Sequence, residues 1–422
     1  MIDSKKSWVI CLVSSLFFMD EFMRINIFNN LQQDLTRDLL ISTSQYSQLS
    51  ACYFYGNVLM LFPAGIMLDR ISVKKILLCV TIACAFASLA MAYSNSFIVA
   101  VISRLVIGFC GAFPLLAVFK LATRWFSSNK LAFVIGVVVT IAMIGGLIAQ
   151  TPFLILKNMI GWRNVMLVDA AFGFISALVM FKFVEDFPEK FVNPVHDEFS
   201  LSKFLSVVRE AGSNAHTWIA GFSISLLNLP IFIFGAIWGL PYLMQYHALS
   251  DVDSSIVVSM MFIGMIVGSP LMGAWSDNYM FKFERGLKII HQKNRSQVLF
   301  ISGLALVAIS ILLILHGPWN FDTLLIFFFF IGLFSSGQVV GYPYISENNK
   351  PELAATAGGI SSTLIMAGGV VQPIFGWLLE STKDYQYINH VALYSAFDYK
   401  LALSIIPVSC LIVMILTLKM KS

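Results

Sequence analysis

The sequence predicts an all-α membrane protein of twelve transmembrane helices in two six-helix halves, with N- and C-termini in the cytoplasm. Three observations lead there. Of the 422 residues, 58% are hydrophobic and only 12% charged, whereas a soluble domain carries about a quarter charged residues. Long apolar runs recur about every thirty residues, the rhythm of helices that cross a bilayer. Lysine and arginine gather in alternate connections, which sets an orientation.

Apolar windows long enough to cross about 30 Å at about 1.5 Å per residue lie near residues 8–29, 46–68, 74–95, 97–120, 131–152, 163–184, 216–246, 253–276, 297–316, 320–345, 354–379 and 399–419. Lys5 and Lys6 before the first run mimic a signal peptide. No small-residue cleavage site follows, however, and the run continues into Asp20 and Glu21, so it reads as a retained helix. With the N-terminus inside, nineteen Lys/Arg fall in inner segments against five outside, namely Arg37, Lys157, Arg163, Lys383 and Lys400. Arg24, Arg104 and Lys120 remain within spans, and Lys120, at a span end, can snorkel to the interface. The longest polar interruption divides the spans six and six: a first half over 1–185, a cytoplasmic linker over 186–213 and a second half over 214–422. In the linker, Leu201, Phe204, Leu205 and Val208 have helical spacing beside Lys203 and Arg209, which predicts a short helix on the membrane surface.

Several function classes drop out on composition. A net charge of +4 is too small to imply nucleic acid. All six cysteines (Cys11, Cys52, Cys79, Cys84, Cys110, Cys410) lie in apolar runs without metal or redox spacing. The six histidines (His196, His216, His247, His291, His316, His390) are scattered among loops and span ends. No metal and no cofactor are expected. Neither a Gly-x-Ser-x-Gly elbow nor a His-x-x-Glu-His pattern is present, which argues against an enzyme. A phosphate-binding Gly-x-x-x-x-Gly-Lys loop is also missing, which argues against an ATP-driven pump.

The chain repeats itself. Gly65-Ile-Met-Leu-Asp69-Arg70-Ile-Ser-Val-Lys74-Lys75 follows the second span and Gly273-Ala-Trp-Ser-Asp277-Asn278 follows the eighth. Glycine and aspartate are four apart in both, and the copies are 208 residues apart, about half the chain. The glycine, the aspartate–arginine pair and the trailing lysines resemble the cytoplasmic signature of the major facilitator superfamily. Ser72 replaces its usual second glycine and Val73 its usual first basic residue. Arg104-x-x-x-Gly108 in the fourth span and Gly161-Trp162-Arg163 at the start of the sixth are similar to further motifs of that family. Gly235-Ala-Ile-Trp238-Gly-Leu-Pro241 and Asp20-Glu21-x-x-Arg24 resemble a branch of metabolite carriers that includes a lysosomal dipeptide carrier. The resemblance implies a secondary transporter working by alternating access, its first and fourth helices lining a cavity and its sixth peripheral. Gly65, Asp69, Arg70, Gly273 and Asp277 become candidates for gating. An aspartate just past a helix end can accept hydrogen bonds from a neighbouring helix N-terminus, and glycine permits close backbone approach.

Charges inside the spans carry the functional expectation. Asp20 and Glu21 stand about twelve residues, or about 18 Å, into the first span, and Arg24 lies within one turn of both. Each charge near the bilayer centre costs about 2.5–3.5 kcal/mol on insertion scales, so such a cluster must be paired, cavity-facing or functional. Arg24 and Arg104 are expected to bind an anionic or carboxylate group, with Asp20 or Glu21 carrying an exchangeable proton. The alternative is a structural ion pair, with Arg104 bracing helices. Asp169 in the sixth span reads as a structural partner. The second half has no comparable charge, and its candidate contacts are Asn228, Trp238, Tyr242 and Gln338, with Tyr342 and Gln372 as further polar residues. Trp238 and Tyr242 fit an interfacial aromatic belt equally well.

The expected activity is proton-coupled symport of a small carboxylate-bearing metabolite, such as an amino acid, short peptide or organic anion. A proton-driven efflux antiporter and a non-transporting receptor are the alternatives. The fifth span has Gly136, Gly145, Gly146 and Pro152, but Ala149-Gln150 stands where exporters of the family carry Gly-Pro. Expected partners are the substrate, protons and the lipid bilayer, for a monomer in a bacterial inner (plasma) membrane.

Overall fold

The computed structural model describes residues 4–126, 128–188, 208–276, 288–350, 353–382, 386–388 and 391–420. Asp277 and most of the helix expected over 201–209 lie outside the described residues, as does the Asp69 side chain. Eleven helices among the described residues are long and apolar enough to cross a membrane. They are Thr43–Leu68, Val73–Ala92, Phe97–Trp125, Val134–Ile160, Trp162–Phe183, Ala215–Tyr246, Asp251–Ser276, Arg295–Leu315, Phe321–Glu347, Thr356–Glu380 and Ala396–Lys419. They are numbered second to twelfth below, because a first helix, Lys5–Asn26, precedes them. Its 22 residues extend about 33 Å, but Asp20, Glu21 and Arg24 cluster near its end.

Many spans are broken. The fourth stops at Gly111 and resumes at Pro114, and the fifth stops at Ile148 and resumes at Thr151 with Pro152 in its first turn. The seventh changes to a π-helix over Ile231–Trp238 directly after Pro230. Such breaks persist in a membrane only where the freed backbone groups find partners. At the fifth-span break they do: Asn30 Nδ2 donates to the carbonyls of Ala149 (2.6 Å) and Gln150 (3.2 Å), and Asn29 Nδ2 donates to Gln150 Oε1 (2.9 Å). In the seventh span Gln372 Nε2 donates to the Phe232 carbonyl at 2.9 Å.

The chain forms two compact units, Met1–Asp197 with Asn389–Val391, and Glu198–Ile388 with Ala392–Ser422. Each is assembled on glycines. In the first, a Cβ on Gly108 would lie 2.0 Å from the Tyr53 carbonyl oxygen and one on Gly56 would lie 2.5 Å from that of Leu105, so the second and fourth spans touch backbone to backbone. In the second, a Cβ on Gly332 would lie 1.9 Å from the Met261 oxygen and one on Gly264 would lie 2.1 Å from that of Phe329. Tyr53 and Gly56 precede Met261 and Gly264 by 208 residues, the offset of the two aspartate loops, and Leu105 and Gly108 precede Phe329 and Gly332 by 224 (329 − 105, 332 − 108). The duplication is thus built into the packing. Among the described residues a Cβ at Gly65 or Gly273 would meet nothing within 4 Å, in contrast to the mid-span glycines.

Polar clasps close both ends of the first unit. At one end the chain after the sixth span straps its neighbours. Glu185 pairs with Lys6 (2.7 Å), its carbonyl accepts from Trp125 Nε1 (3.1 Å), and Asp186 Oδ1 caps the third span by accepting from the Lys74 amide (2.9 Å). Ser72 caps the same helix through the Lys75 amide. Lys120 donates to the Leu68 carbonyl at 2.6 Å, and Arg70 is exposed. At the other end the short helix Gln32–Leu39 is tied down by Asp38, which accepts from Trp162 Nε1 (2.9 Å), Arg163 and Arg37, while Arg163 reaches the Asn95 side chain at 2.9 Å. The Gly161-Trp162-Arg163 motif therefore fastens three loops together. In the second unit Arg295 grips Glu347 with two nitrogens and donates to Ser276 Oγ at 3.1 Å.

Two outcomes are expected. Gly108→Ala and Gly332→Ala each force apart two backbones, costing about 1–3 kcal/mol or more, and lower the melting temperature of the purified protein, whereas Gly136→Ala, with nothing within 4 Å, does not. Partial burial pushes the Asp38 carboxyl up, but its three donors more than offset this and hold it below the usual range. A depressed folded pKa stabilises above the unfolded value, and that gain is lost as pH falls through the folded one. Asp38→Asn should therefore lower the melting temperature at neutral pH, with the deficit closing below about pH 4. A deficit that persists unchanged to about pH 2 would contradict this assignment.

Candidate functional site

The first helix delivers Asp20 and Arg24 one turn apart on one face, and Arg24 Nη1 lies 2.6 Å from Asp20 Oδ2. The sixth span delivers Asp169, whose Oδ2 accepts from Arg24 Nε at 2.9 Å. Room for the guanidinium comes from Gly173, where a Cβ would lie 3.1 Å from Arg24 Nη2. The fifth span closes on the first at Gly145, where a Cβ would lie 2.0 Å from the Met19 carbonyl oxygen. Asp20 is 0% exposed, Arg24 2% and Asp169 3%.

Glu21 does not join Arg24. It turns to the second span, where Tyr53 Oη donates to its Oε1 and Asn57 Nδ2 donates to Tyr53 Oη at 3.2 Å. Gly111 leaves the space for this pair, since a Cβ there would lie 2.6 Å from Tyr53 Oη and 2.9 Å from Glu21 Oε1. Arg104 of the fourth span is 1% exposed, and its Nη1 donates to the Arg24 carbonyl at 2.9 Å and its Nη2 to the Ser50 carbonyl at 3.4 Å. Its guanidinium lies 3.9 Å from the centre of the Phe28 ring and 5.4 Å from that of Tyr53. Among the described residues Arg104 has no carboxylate partner, and its Nε has no hydrogen-bond acceptor.

The two arginines singled out in the sequence are therefore adjacent but not equivalent. Arg24 is held between two carboxylates, whereas Arg104 is a buried cation held by carbonyls and aromatic faces. Sequence reasoning placed Asp20 beside Arg24 and read Asp169 as a structural partner without naming what it meets. The missed residues are Tyr53 and Asn57. Their one-turn spacing was visible, but nothing in a tyrosine-rich apolar helix marked that face.

In the second unit Asn228 and Gln338 meet, Gln338 Nε2 donating to Asn228 Oδ1 at 3.0 Å. Trp238 and Tyr242 are fully buried, so neither stands in a lipid-facing belt. Trp238 stacks on Phe375 with ring centres 5.5 Å apart. Tyr242 Oη lies 2.9 Å from His247 Nε2, and the Trp319 amide donates to His247 Nδ1 at 2.9 Å. Tyr342 is half-exposed beside Ser362.

Membrane-length helices in two units, one with an ion cluster sealed inside it, define a multi-pass integral membrane protein whose charges are organised rather than tolerated. The chain belongs to the Major Facilitator Superfamily, whose model matches residues 10–373 and again 220–420. It is 26% identical to the probable sulfoacetate transporter SauU of Cupriavidus necator, covering 89% of this chain and 87% of that one. It is 23% identical to the hexuronate transporter of Bacillus subtilis, with 82% of each chain covered. A shorter stretch, 31% of this chain and 28% of the other, is 29% identical to the lysosomal dipeptide transporter MFSD1 of Danio rerio. The fold is similar to the crystal structure of a bacterial homologue of the human lysosomal transporter Spinster, with a TM-score of 0.74 over 99% of both chains at 16% identity. The protein is a transporter and not an enzyme.

The ion cluster yields its own expectation. Arg24→Met leaves Asp20 and Asp169 facing each other without their shared cation, which should cost about 3–5 kcal/mol of stability. Thermal unfolding in detergent measures it, and a melting temperature equal to wild type would show that the arginine is not what holds the two carboxylates.

Proposed function

We propose that this protein is a secondary active transporter that carries a small organic anion together with a proton by alternating access. One observation carries the reading: Arg104 is a buried guanidinium without a carboxylate partner among the described residues, hydrogen-bonded to the Arg24 carbonyl beside a cluster in which Arg24 is already neutralised. A cation sealed from water is costly unless it is paired, and an anionic substrate supplies the missing charge. Relatives at 26% and 23% identity carry names of anion transporters, for sulfoacetate and hexuronate, which supports an anion over a neutral substrate. A carboxylate-bearing amino acid or short peptide fits the same arginine.

The charge count supports proton coupling. Asp20, Glu21 and Asp169 against Arg24 and Arg104 leave one net negative charge when all are ionised. One proton neutralises the cluster, and an anion arriving at Arg104 then has no uncompensated acid to oppose it. Moving an anion alone against a membrane potential costs about 2.3 kcal/mol per 100 mV, and a co-transported proton cancels that term. On this reading Arg104 binds the anion, Arg24 serves the proton side with Asp20 or Glu21, and Asn228, Gln338, Trp238 and Tyr242 are the second half's substrate contacts. Lys5–Asn26 is the first of twelve spans, both termini are cytoplasmic, and halves 1–185 and 214–422 are joined by the linker 186–213. Gly65, Asp69, Arg70, Gly273 and Asp277 remain the proposed gate, the membrane is proposed to be a bacterial inner membrane, and the unit is a monomer.

Uptake into proteoliposomes tests this, with labelled sulfoacetate, glucuronate, pooled amino acids and pooled dipeptides, each with and without an inward proton gradient. Gradient-stimulated uptake of at least one pool is expected. Arg104→Ala should reduce it about 30-fold or more, the equivalent of about 2 kcal/mol or more for a desolvated charge pair, and Arg104→Lys only partly restores it because a point charge replaces a planar fork. Undiminished uptake in Arg104→Ala sinks the anion site, saturable uptake indifferent to the gradient sinks the coupling, and no uptake of any anion sinks the substrate class.

A further inference from the structure

We propose that Asp169 of the sixth span completes a proton-binding site with Asp20 and Arg24 of the first helix, a single proton being shared by the two aspartates. Its part in transport rests on the proton-coupled reading above. The site itself rests on geometry.

One guanidinium bridges two carboxylates, 2.6 Å from Asp20 Oδ2 and 2.9 Å from Asp169 Oδ2. All three residues are at least 97% buried. If bracing helices were the only purpose, one acid would neutralise one arginine. A second aspartate on the same cation leaves a negative charge out of water, which is costly unless a proton joins it. There is a place for that proton, because Asp20 and Asp169 lie within hydrogen-bonding reach of each other. Asp20 Oδ1 and Asp169 Oδ1 are both buried without a hydrogen-bond partner, and a proton on either carboxyl gives the other a donor and brings the site to neutrality.

The ionisable groups that face the site from the neighbouring helices are few. The first helix adds Glu21, which is already served by the Tyr53 hydroxyl of the second span. The third and fourth spans bring the thiols of Cys84 and Cys110 towards Arg24, and the fourth also brings Arg104, which donates to the Arg24 carbonyl and not to either aspartate. The fifth span approaches at Gly145 and has no ionisable side chain over 134–148. The sixth span is shaped for the purpose, since Gly173, one turn beyond Asp169, leaves the guanidinium its space. Arg104 gripping the Arg24 main chain gives an anion bound at Arg104 a direct handle on the proton site.

Infrared difference spectra of the purified protein between acid and alkaline pH test the site without any substrate, through the C=O stretch of a protonated carboxyl. A titrating band from a buried carboxyl is expected in wild type, lost in both Asp20→Asn and Asp169→Asn, because either change leaves one acid for one arginine, and retained in Glu21→Gln. Should Asp169→Asn fail to fold, Asp169→Glu keeps the charge and must shift the band. A band that survives Asp169→Asn, ignores Asp169→Glu or vanishes in Glu21→Gln overturns the proposal, as does the lack of any such band. The two readings fail separately. Gradient-driven uptake with a band that Asp169 does not control keeps symport and removes this site, while an Asp169-dependent band with gradient-indifferent uptake keeps the site and removes symport.

Discussion

At 2% exposure the Arg24 guanidinium has no water to fall back on, and each helix around it is adapted to that fact. Its own helix supplies Asp20 one turn back, and the sixth span supplies Asp169 and, at Gly173, the space to receive the group. The fourth span supplies Arg104, which satisfies the Arg24 carbonyl. Removing any one adaptation leaves a charge or a carbonyl unserved in a medium where that costs several kcal/mol. The first unit is therefore best understood as helices placed around one buried cation, with glycine setting how near they come.

The same accounting explains the broken helices. A proline or a change of helical pitch frees carbonyls, and in this chain polar side chains of neighbouring helices answer them: Asn30 at the fifth-span break and Gln372 at the π-helical turn of the seventh. Asn30 belongs to the segment that ends at Asp38, so the break in the fifth span and the clasp on Trp162 and Arg163 are joined through a few residues of chain. Rigidity within the first unit thus comes from polar atoms at its ends and backbone contact in its middle.

Most of the fold was legible because bilayer length, apolar runs and duplication are all written in one dimension. Asp20, Arg24 and Arg104 were legible for the same reason, as charges where charges are expensive. What lay beyond reach was partnership across spans. Either Asp20 or Glu21 could reach Arg24 by spacing, and only the positions of Tyr53 and Asp169 separate the two acids. Asp169 stands on a helix that the family resemblance made peripheral, which hid its contact. The glycines at 65 and 273 carried the motif, yet backbone contact falls at 56, 108, 264 and 332, because a loop signature marks a helix end while packing is decided in the middle.

The duplication also bears on whether the ions serve structure or function. At the offset of 208, Asp20 corresponds to Asn228, Glu21 to Leu229, Arg24 to Phe232 and Tyr53 to Met261, and at the offset of 224 Arg104 corresponds to Phe328. The glycine contacts that hold Tyr53 against Gly108 hold Met261 against Gly332 at nearly the same distance. The second unit therefore keeps the scaffold of the first with an amide pair, Asn228 and Gln338, and aromatic or aliphatic side chains in place of the ions. At these positions the second unit packs without ions, its buried Arg295 and Asp398 lying elsewhere, on Glu347 and at the start of Ala396–Leu403. A hydrophobic replacement for a buried ion pair is commonly neutral or stabilising, and this chain has made it in one half and not in the other. Stability alone gives no reason for that asymmetry, whereas the proposed binding of an anion and a proton would supply one.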